Sequence, residues 1–298
     1  MRISVLSSAI VTVICSVFVV LAAARMPSVK VAPWVAAEKE TIHARYTEHE
    51  LDSIKKYCRI SSQDQLRHLT LNQPFLKREK LVYDIGWEFF RGGYGIIESQ
   101  IFPEQNRLTV TSRIVSNDVL SGLFRVRDLV ATDCDLAGMY PTFFEQHLNE
   151  RGNLGGKPYV NNGWTLYDHS TGHVFSDGFA TQTSRAITPF AQNYLSLFPS
   201  LRTRRLAPGD TFSIHCYVHD KDYPMFFRCQ KRESVKVPAG KFICIRVQPT
   251  LVGTGRGFTA KDRMWIWLTD DAVHMPVRMS SVVAIGSITV ELQAWERE

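Results

Sequence analysis

The sequence lacks the short motifs that mark many enzymes and nucleotide-binding proteins. Its 298 residues contain no glycine-rich phosphate-binding loop, no dinucleotide-binding fingerprint and no glycine-flanked serine of a nucleophile elbow. The six cysteines show no CxxC spacing and do not cluster with histidines, which argues against a structural zinc site. We therefore expect no cofactor and no metal ion, and these absences favour a protein that is not an enzyme.

An excess of one charge is also missing. The 35 basic and 29 acidic residues give a formal net charge of only +6, and no run of lysine and arginine carries interleaved aromatic residues. These features argue against nucleic-acid binding. The small basic excess is compatible with weak, peripheral attraction to an anionic membrane surface. With 45% hydrophobic residues, the chain can bury a large core.

The first 24 residues form an apolar run with almost no charge. Arg2 precedes an uncharged stretch that ends in three alanines, which is typical of a secretory signal peptide. The stretch is also long enough to span a bilayer, so an uncleaved anchor in the inner membrane is the alternative. We predict that the protein is exported to the periplasm. Residues 25–75 are predicted to form a charged linker and a helical arm, because apolar residues recur at near-helical spacing between 36 and 58.

From residue 76 to residue 298 the pattern is that of β-strands. Leu81, Tyr83 and Ile85 alternate with more polar residues, and a glycine-rich turn is expected at 92–95. A second clear alternation covers residues 264–268, and turn signals separate the strands throughout. We predict an all-β domain, a large curved antiparallel sheet or incomplete β-barrel built as a meander, with one or two short helices.

The middle of the chain predicts a helix and then a long hairpin. Helical spacing of apolar residues covers 188–201, and strand patterns within 212–237 flank a turn near Asp222. In that register Cys216 falls opposite Cys229, and a cross-strand disulfide is predicted if the geometry allows it. The alternative is that both are small buried side chains. Five cysteines follow the apolar run, so at least one should be unpaired.

Several segments, in this order and spacing, carry a resemblance to a known family. They are EKLVYDIGWEFFRGGYG at 79–95, YLSLFPSLRTRRLAPGDTF at 194–212, KRESVKVPAGKF at 231–242, IRVQPTL at 245–251, WIWLTDDAVHMPVRM at 265–279 and AIGSITVEL at 284–292. The chain resembles the exported bacterial proteins grouped as domain of unknown function 3108. The resemblance implies a periplasmic or envelope-facing domain of antiparallel strands, and it supplies no catalytic residues.

Two polar clusters are candidate sites of chemistry. Asp270 and Asp271 could divide acid and base roles in a hydrolase, but adjacent residues point to different sides, so turn capping is favoured. His215 and His219 could bind a metal ion together with Asp220 and Asp222. The two histidines are about 13 Å apart along an extended strand, which argues against that site.

The aromatic residues suggest a binding function. Most of the rings are expected in the core, but a curved sheet can also hold an apolar ligand on its concave side, with a few polar groups at the rim. The ligand-binding residues predicted on this basis are Trp87, Tyr94, Arg202, Trp265, Trp267, Asp271 and Arg278. The predicted ligand is an apolar envelope molecule, a lipid or a lipid-linked glycan. The alternatives are an envelope scaffold that binds a protein partner and, third, a hydrolase centred on Asp271.

Overall fold

The computed structural model describes residues 77–87, 90–121, 124–152, 159–177, 183–218, 221–251, 264–282 and 287–298. The predicted signal peptide or anchor at 1–24 and the predicted linker and helical arm at 25–75 lie outside the described residues. Within the described residues no helix is long and apolar enough to cross a membrane.

Fourteen strands form most of the described chain. The strands are β1 Arg78–Trp87, β2 Phe90–Phe102, β3 Arg107–Ser116, β4 Phe124–Asp135, β5 Pro141–Gly152, β6 Tyr159–Asp168, β7 His173–Asp177, β8 Thr183–Ala186, β9 Thr211–Val218, β10 Lys221–Val237, β11 Gly240–Leu251, β12 Met264–Thr269, β13 Pro276–Val282 and β14 Ser287–Arg297. The described residues also include a 3-10 turn, Pro103–Gln105, and two short helices, α1 Asp118–Ser121 and α2 Leu197–Arg202.

The strands form one antiparallel sheet in the order β8-β7-β6-β5-β4-β3-β2-β1-β14-β13-β12-β11-β10-β9. Two meanders, β1 to β8 and β9 to β14, are joined by the pairing of β1 with β14. The first and last strands in the described chain therefore meet in the middle of the sheet. The prediction of an all-β domain with a large antiparallel sheet is confirmed.

The connection between β8 and β9 shows that the sheet curves strongly. We call residues 187–206 the plug. Asn193 donates from Nδ2 to Thr132 Oγ1 on β4 at 2.9 Å, and the backbone of Gln192 bonds to β9 on both sides. Arg202 in α2 binds Glu79 on β1. Because these strands are far apart in the sheet order, the sheet must wrap around the plug.

A ring contact between distant strands supports the same conclusion. Tyr167 on β6 and Tyr217 on β9 lie with ring centroids 6.2 Å apart. β9 is an edge strand and β6 is two strands from the other edge, so the two ends of the sheet approach each other. The result is an open, barrel-like sheet.

The core lies on the inner face, between the sheet and the plug. Leu81, Tyr83 and Ile85 on β1 are each 1% exposed and belong to one continuous cluster with the buried apolar residues of the plug. On the far meander, Val247 and Ile266 belong to the same cluster. One core therefore holds both halves of the sheet together.

Two local predictions were wrong. The glycines at 92–95 do not form a turn, because they lie inside β2. The predicted helix at 188–201 is reduced to α2. Asn193 Oδ1 accepts hydrogen bonds from the backbone N–H groups of Leu195 and Ser196, and such local bonds compete with helix formation.

The predicted disulfide was also wrong. Cys216 pairs with Tyr223 across the β9–β10 hairpin, whereas Cys229 lies beyond the end of β9 and pairs with Val247 on β11. Both residues are buried free thiols. Burial raises the pKa of the Cys229 thiol to about 11, so that thiol is a poor nucleophile at neutral pH. The alternative interpretation, of small buried side chains, describes them correctly.

Candidate functional site

Four of the predicted ligand-binding residues lie on the outer face of the sheet and not on its concave side. They are Tyr94, Trp265, Trp267 and Arg278. On β12, Ile266 and Leu268 are the buried inner residues, so Trp265 and Trp267 must point to the opposite face. The expected placement of these rings around a concave site was wrong, because the smaller aliphatic residues occupy the inner positions.

The structure brings three of these four residues into one row that crosses the sheet. Trp267 is opposite Arg278, Arg278 is opposite Glu291, and Asp84 connects Glu291 to Tyr94. The Arg278 guanidinium lies 5.8 Å from the centre of the Trp267 ring and donates from Nε to Glu291 Oε1 at 2.9 Å. Arg278 therefore links Trp267 and Glu291 across three strands by one ring contact and one ion pair.

Arg202 is buried and lies away from any rim. Its guanidinium binds both carboxylate oxygens of Glu79, at 2.6 and 2.9 Å, and its Nε donates to the Val273 carbonyl at 3.2 Å. Arg297 Nε lies 3.0 Å from the same carboxylate. The side chain of Glu79 is 1% exposed, so this cluster is a buried ionic anchor that fixes α2 to β1.

Asp271 caps a turn. Its Oδ1 accepts hydrogen bonds from the Thr269 hydroxyl at 2.8 Å and from the backbone N–H groups of Val273 and His274. The neighbouring Asp270 instead pairs with Arg232. The two carboxylates therefore do not converge on a common point. For Trp87, the backbone pairs with Phe90, but the side chain lies outside the described residues.

His215 and Asp222 form a pair that contacts the plug. His215 Nδ1 lies 3.0 Å from Asp222 Oδ1, and Asp222 also accepts from the backbone N–H of Thr188. His219 and Asp220 lie outside the described residues. Among the residues that are described, no three His, Cys, Asp or Glu side chains are arranged to hold a metal ion.

His169, which directly follows β6, is a buried neutral histidine that contacts the plug. Its Nε2 lies 2.7 Å from the Pro141 carbonyl, and its Nδ1 accepts from the backbone N–H of Phe190 at 3.1 Å. Burial lowers the pKa of His169 to about 4. The neutral ring can donate from Nε2 and accept at Nδ1 at once, so it joins the plug to the first residue of β5.

The structure reveals a buried carboxyl pair that sequence reasoning missed. Asp128 on β4 and Glu150 on β5 share the inner face with Val126, which is opposite Glu150. Asp128 is 4% exposed and Glu150 7% exposed. The backbone N–H of Asn149 donates to Asp128 Oδ1 at 3.0 Å. The strand parity was a usable signal, because Val126, Asp128 and Val130 alternate along one face.

The two carboxyl groups interact directly. Burial raises the pKa of Glu150 to about 7, and a hydrogen bond with Asp128 opposes this shift. Two carboxyl oxygens can form such a bond only if one carries a proton, so the pair shares a proton below that pH. Ile114 and Leu148 are apolar residues of the same inner wall, which also carries the buried hydroxyl of Ser116.

The pair lies apart from the contacts of the plug with the same strands. The plug reaches β4 at Thr132 and β5 at Gln146, to which Tyr194 donates at 3.0 Å. Asp128 and Glu150 are each four residues further along their strands, a distance of about 13 Å. The wall around the pair is the candidate binding site.

The profile of a family described as protein of unknown function (DUF3108) matches residues 82–293, which is most of the chain and nearly all of the described sheet. The chain belongs to the DUF3108 family. The resemblance found in the sequence is confirmed. None of the curated proteins matches this DUF3108 chain.

Solved structures resemble the fold of the DUF3108 chain. A β-barrel-like protein of domain of unknown function DUF1849 from Brucella abortus aligns with a TM-score of 0.53 at 11% identity, over 74% of this chain and 98% of that one. A candidate lipoprotein from Parabacteroides distasonis has a TM-score of 0.34 at 13% identity, over 77% and 100%. A candidate exported protein with a YmcC-like fold from Bacteroides fragilis has a TM-score of 0.31 at 12% identity, over 76% and 99%. The first likeness supports a barrel-like fold, and the other two carry no argument.

Proposed function

We propose that this DUF3108 protein binds an apolar molecule of the cell envelope, a lipid or a lipid-linked glycan, inside its barrel-like sheet. It acts as a carrier or receptor in the periplasm and not as an enzyme. The periplasmic location follows from the signal pattern in the first 24 residues. The observation that carries the proposal is the apolar inner face of a sheet that wraps around its own interior.

The chemistry of the inner wall suits such a ligand. Ile114, Val126 and Leu148 are at most 2% exposed and lie beside the Asp128–Glu150 pair in the core. An apolar chain that displaces the packing there would contact aliphatic side chains and only a few polar groups. Transfer of such a chain from water contributes about 0.8 kcal/mol per methylene. A mostly apolar site with few polar groups that fix orientation is the usual form of a lipid pocket.

The test is to identify what the protein carries. The protein is purified gently from a periplasm, extracted with organic solvent and analysed by mass spectrometry beside a mock purification. We expect a lipid at close to one per protein. Protein that is free of lipid under native conditions, and that also fails to bind a fluorescent fatty acid, would contradict the carrier function and favour the scaffold.

A matched pair of variants locates the lipid. Ile114→Trp fills the inner wall and should lower the lipid content several-fold, while Ile243→Trp alters an outer residue that is 53% exposed and should leave it unchanged. Circular dichroism verifies that both variants fold. Equal lipid content in the two variants would place the ligand elsewhere.

A further inference from the structure

We propose that residues 187–192, the first part of the plug, form a strap that closes the seam between β8 and β9, and that the ligand enters through this seam when the strap lifts. This inference rests on the binding function proposed above, because it names the route to the same interior. β8 and β9 are the two edges of the sheet. In the described part of the chain, β8 pairs only with β7 and β9 pairs only with β10, so no strand ladder closes the seam.

The strap begins at one edge of the sheet and reaches the other edge within two residues. The Ile187 N–H donates to the Gly172 carbonyl at 2.8 Å and so extends the pairing of β7 with β8. The next residue, Thr188, donates its N–H to the Asp222 carboxylate on β10. Consecutive Cα atoms are only about 3.8 Å apart. The end of β8 therefore lies close to the β9–β10 hairpin, and the strap connects them.

The far end of the strap pairs with the free side of β9. The Gln192 N–H donates to the His215 carbonyl, and the Tyr217 N–H donates to the Gln192 carbonyl, both at 2.7 Å. These bonds make Gln192 the parallel partner of Cys216. At this point a single residue of the strap takes the place of a neighbouring strand.

The sheet can open at the seam without breaking a strand ladder. Within the described residues, three hydrogen bonds from Thr188, Gln192 and Tyr217 join the strap to β9 and β10. A neighbouring pair of strands such as β4 and β5 is instead paired along its length. Parting such strands would leave a row of backbone N–H and C=O groups without partners, and each buried group costs free energy. An apolar chain can therefore enter sideways at the seam more easily than between paired strands.

The strap contains a strained residue. Phe190 has a φ of 62°, in the left-handed region that bulky side chains rarely adopt. Its ring lies against Tyr140 and His169, with ring centroids 4.9 and 5.8 Å away, and its N–H donates to His169 Nδ1. These contacts hold the closed conformation. Relief of the strain at Phe190 would offset part of the cost of lifting the strap.

The apolar interior lies behind the strap. Ile187 and Ala191 are buried and belong to the core cluster. The rings of Tyr167 on β6 and Tyr217 on β9 meet nearby, with centroids 6.2 Å apart. Lifting the strap would withdraw its apolar side chains from the core and open a path lined by aromatic and aliphatic groups. Such a lining suits the entry of an apolar ligand.

A disulfide locks the strap in the full chain. Gln192→Cys places a thiol beside Cys216, a native free thiol and its parallel partner. Neighbouring strands lie about 4.8 Å apart, which is within the range for a disulfide. Peptide mass spectrometry verifies the bond, and stopped-flow fluorescence follows the uptake of a fluorescent fatty acid with and without dithiothreitol. We expect the oxidised variant to take up the probe about ten-fold more slowly than the reduced variant, because lid opening limits access. Gln192→Ser is the matched control and should not respond to dithiothreitol.

A second variant loosens the strap without a new bond. Asp222→Ala removes the acceptor of the Thr188 N–H and should raise the uptake rate several-fold, whereas Lys221→Ala, at the exposed neighbouring position, should leave it unchanged. Equal rates for the oxidised and reduced Gln192→Cys protein, or a wild-type rate for Asp222→Ala, would place the entrance elsewhere and overturn the proposal. Failure of every form, wild type included, to bind the probe would instead contradict the binding function itself.

Discussion

At the scale of single residues, Gly93 shows how one missing side chain allows two strands to pair. A Cβ atom at this position would lie 2.3 Å from the Val115 carbonyl oxygen on β3, closer than any real contact. Gly95, two residues further along β2, has room, since its Cβ would lie 3.5 Å from Ile85 Cδ1. Two glycines on one face therefore have different roles.

We predict that Gly93→Ala destabilises the fold by about 2–4 kcal/mol, because the β2 and β3 backbones must separate. Gly95→Ala should change the free energy of unfolding by less than about 1 kcal/mol. Urea denaturation monitored by circular dichroism measures both values. Equal losses for the two variants would show that the close approach to Val115 has no energetic weight.

The raised pKa of Glu150 predicts a pH-dependent stability. Its carboxyl pKa rises from 4.5 to about 7 on burial, so the folded protein keeps a proton that the unfolded chain releases between those values. Stability should therefore fall as pH rises from about 4.5 to about 7, and then level off. The pH-dependent contribution of Glu150 to the free energy of unfolding is up to about 3 kcal/mol.

Glu150→Gln removes the titrating carboxyl group and therefore its pH-dependent contribution to stability. The difference in unfolding free energy between variant and wild type should move in favour of the variant as pH rises from 5 to 8. Glu296→Gln, at an exposed position on β14, controls for the loss of a carboxylate. A difference for Glu150→Gln that stays constant with pH would mean that the buried pair holds no shared proton.

Residue patterns predicted the alternation of the strands but not which face was the inner one. Trp265 and Trp267 alternate with Ile266 and Leu268, and both sets are apolar enough for a core. Which set is buried depends on the strands that pair beside them, and those come from distant parts of the sequence. The Asp128–Glu150 pair was missed for a related reason. Its two residues lie on different strands, and the sequence does not show that these strands bring them together.

At the scale of elements, the plug is the feature that organises the sheet, and Arg202 is its strongest described anchor. Its guanidinium is bidentate to Glu79 inside the core. A buried ion pair that loses one partner leaves an uncompensated charge, which typically costs about 3–5 kcal/mol, whereas replacement of both partners is often neutral. Arg297 also contacts Glu79 and reduces the cost of losing Arg202.

We predict that Arg202→Met lowers the free energy of unfolding by about 3 kcal/mol. The double variant Arg202→Met with Glu79→Met should recover most of that loss, because Arg297 can turn toward solvent. Arg232→Met, which breaks an exposed pair with Asp270, is the control and should cost under about 1 kcal/mol. A double variant that is less stable than the single one would contradict the assignment of a charge penalty.

Element positions were better predicted than their registers. The hairpin that joins β9 and β10 was expected from turn residues near Asp222, yet Asp222 lies within β10. Its carboxylate is used instead by His215 and by the N–H of Thr188. Turn propensity describes local bonding alone, and here a tertiary contact with the plug competes for the same side chain.

At the scale of the whole molecule, the pairing of β1 with β14 joins the two ends of the described chain. Both meanders and the plug contribute to a single buried cluster. Because these contacts join strands that are distant in sequence, one half of the core cannot form without the other. Contacts of this kind also slow folding. Fold class was predictable from strand patterns, but this closure was not, because no local signal specifies which distant strands will pair.

We predict that the described domain unfolds in one cooperative transition, with tryptophan fluorescence and far-ultraviolet circular dichroism giving the same midpoint. Val126→Ala on β4 and Val247→Ala on β11 remove side chains that are 0% exposed and lie in opposite meanders. Each should lower the stability of that one transition by about 1.5–3 kcal/mol. If Val126→Ala instead separated the two signals, with one midpoint unchanged, the meanders would be independent units and the plug would not connect them energetically.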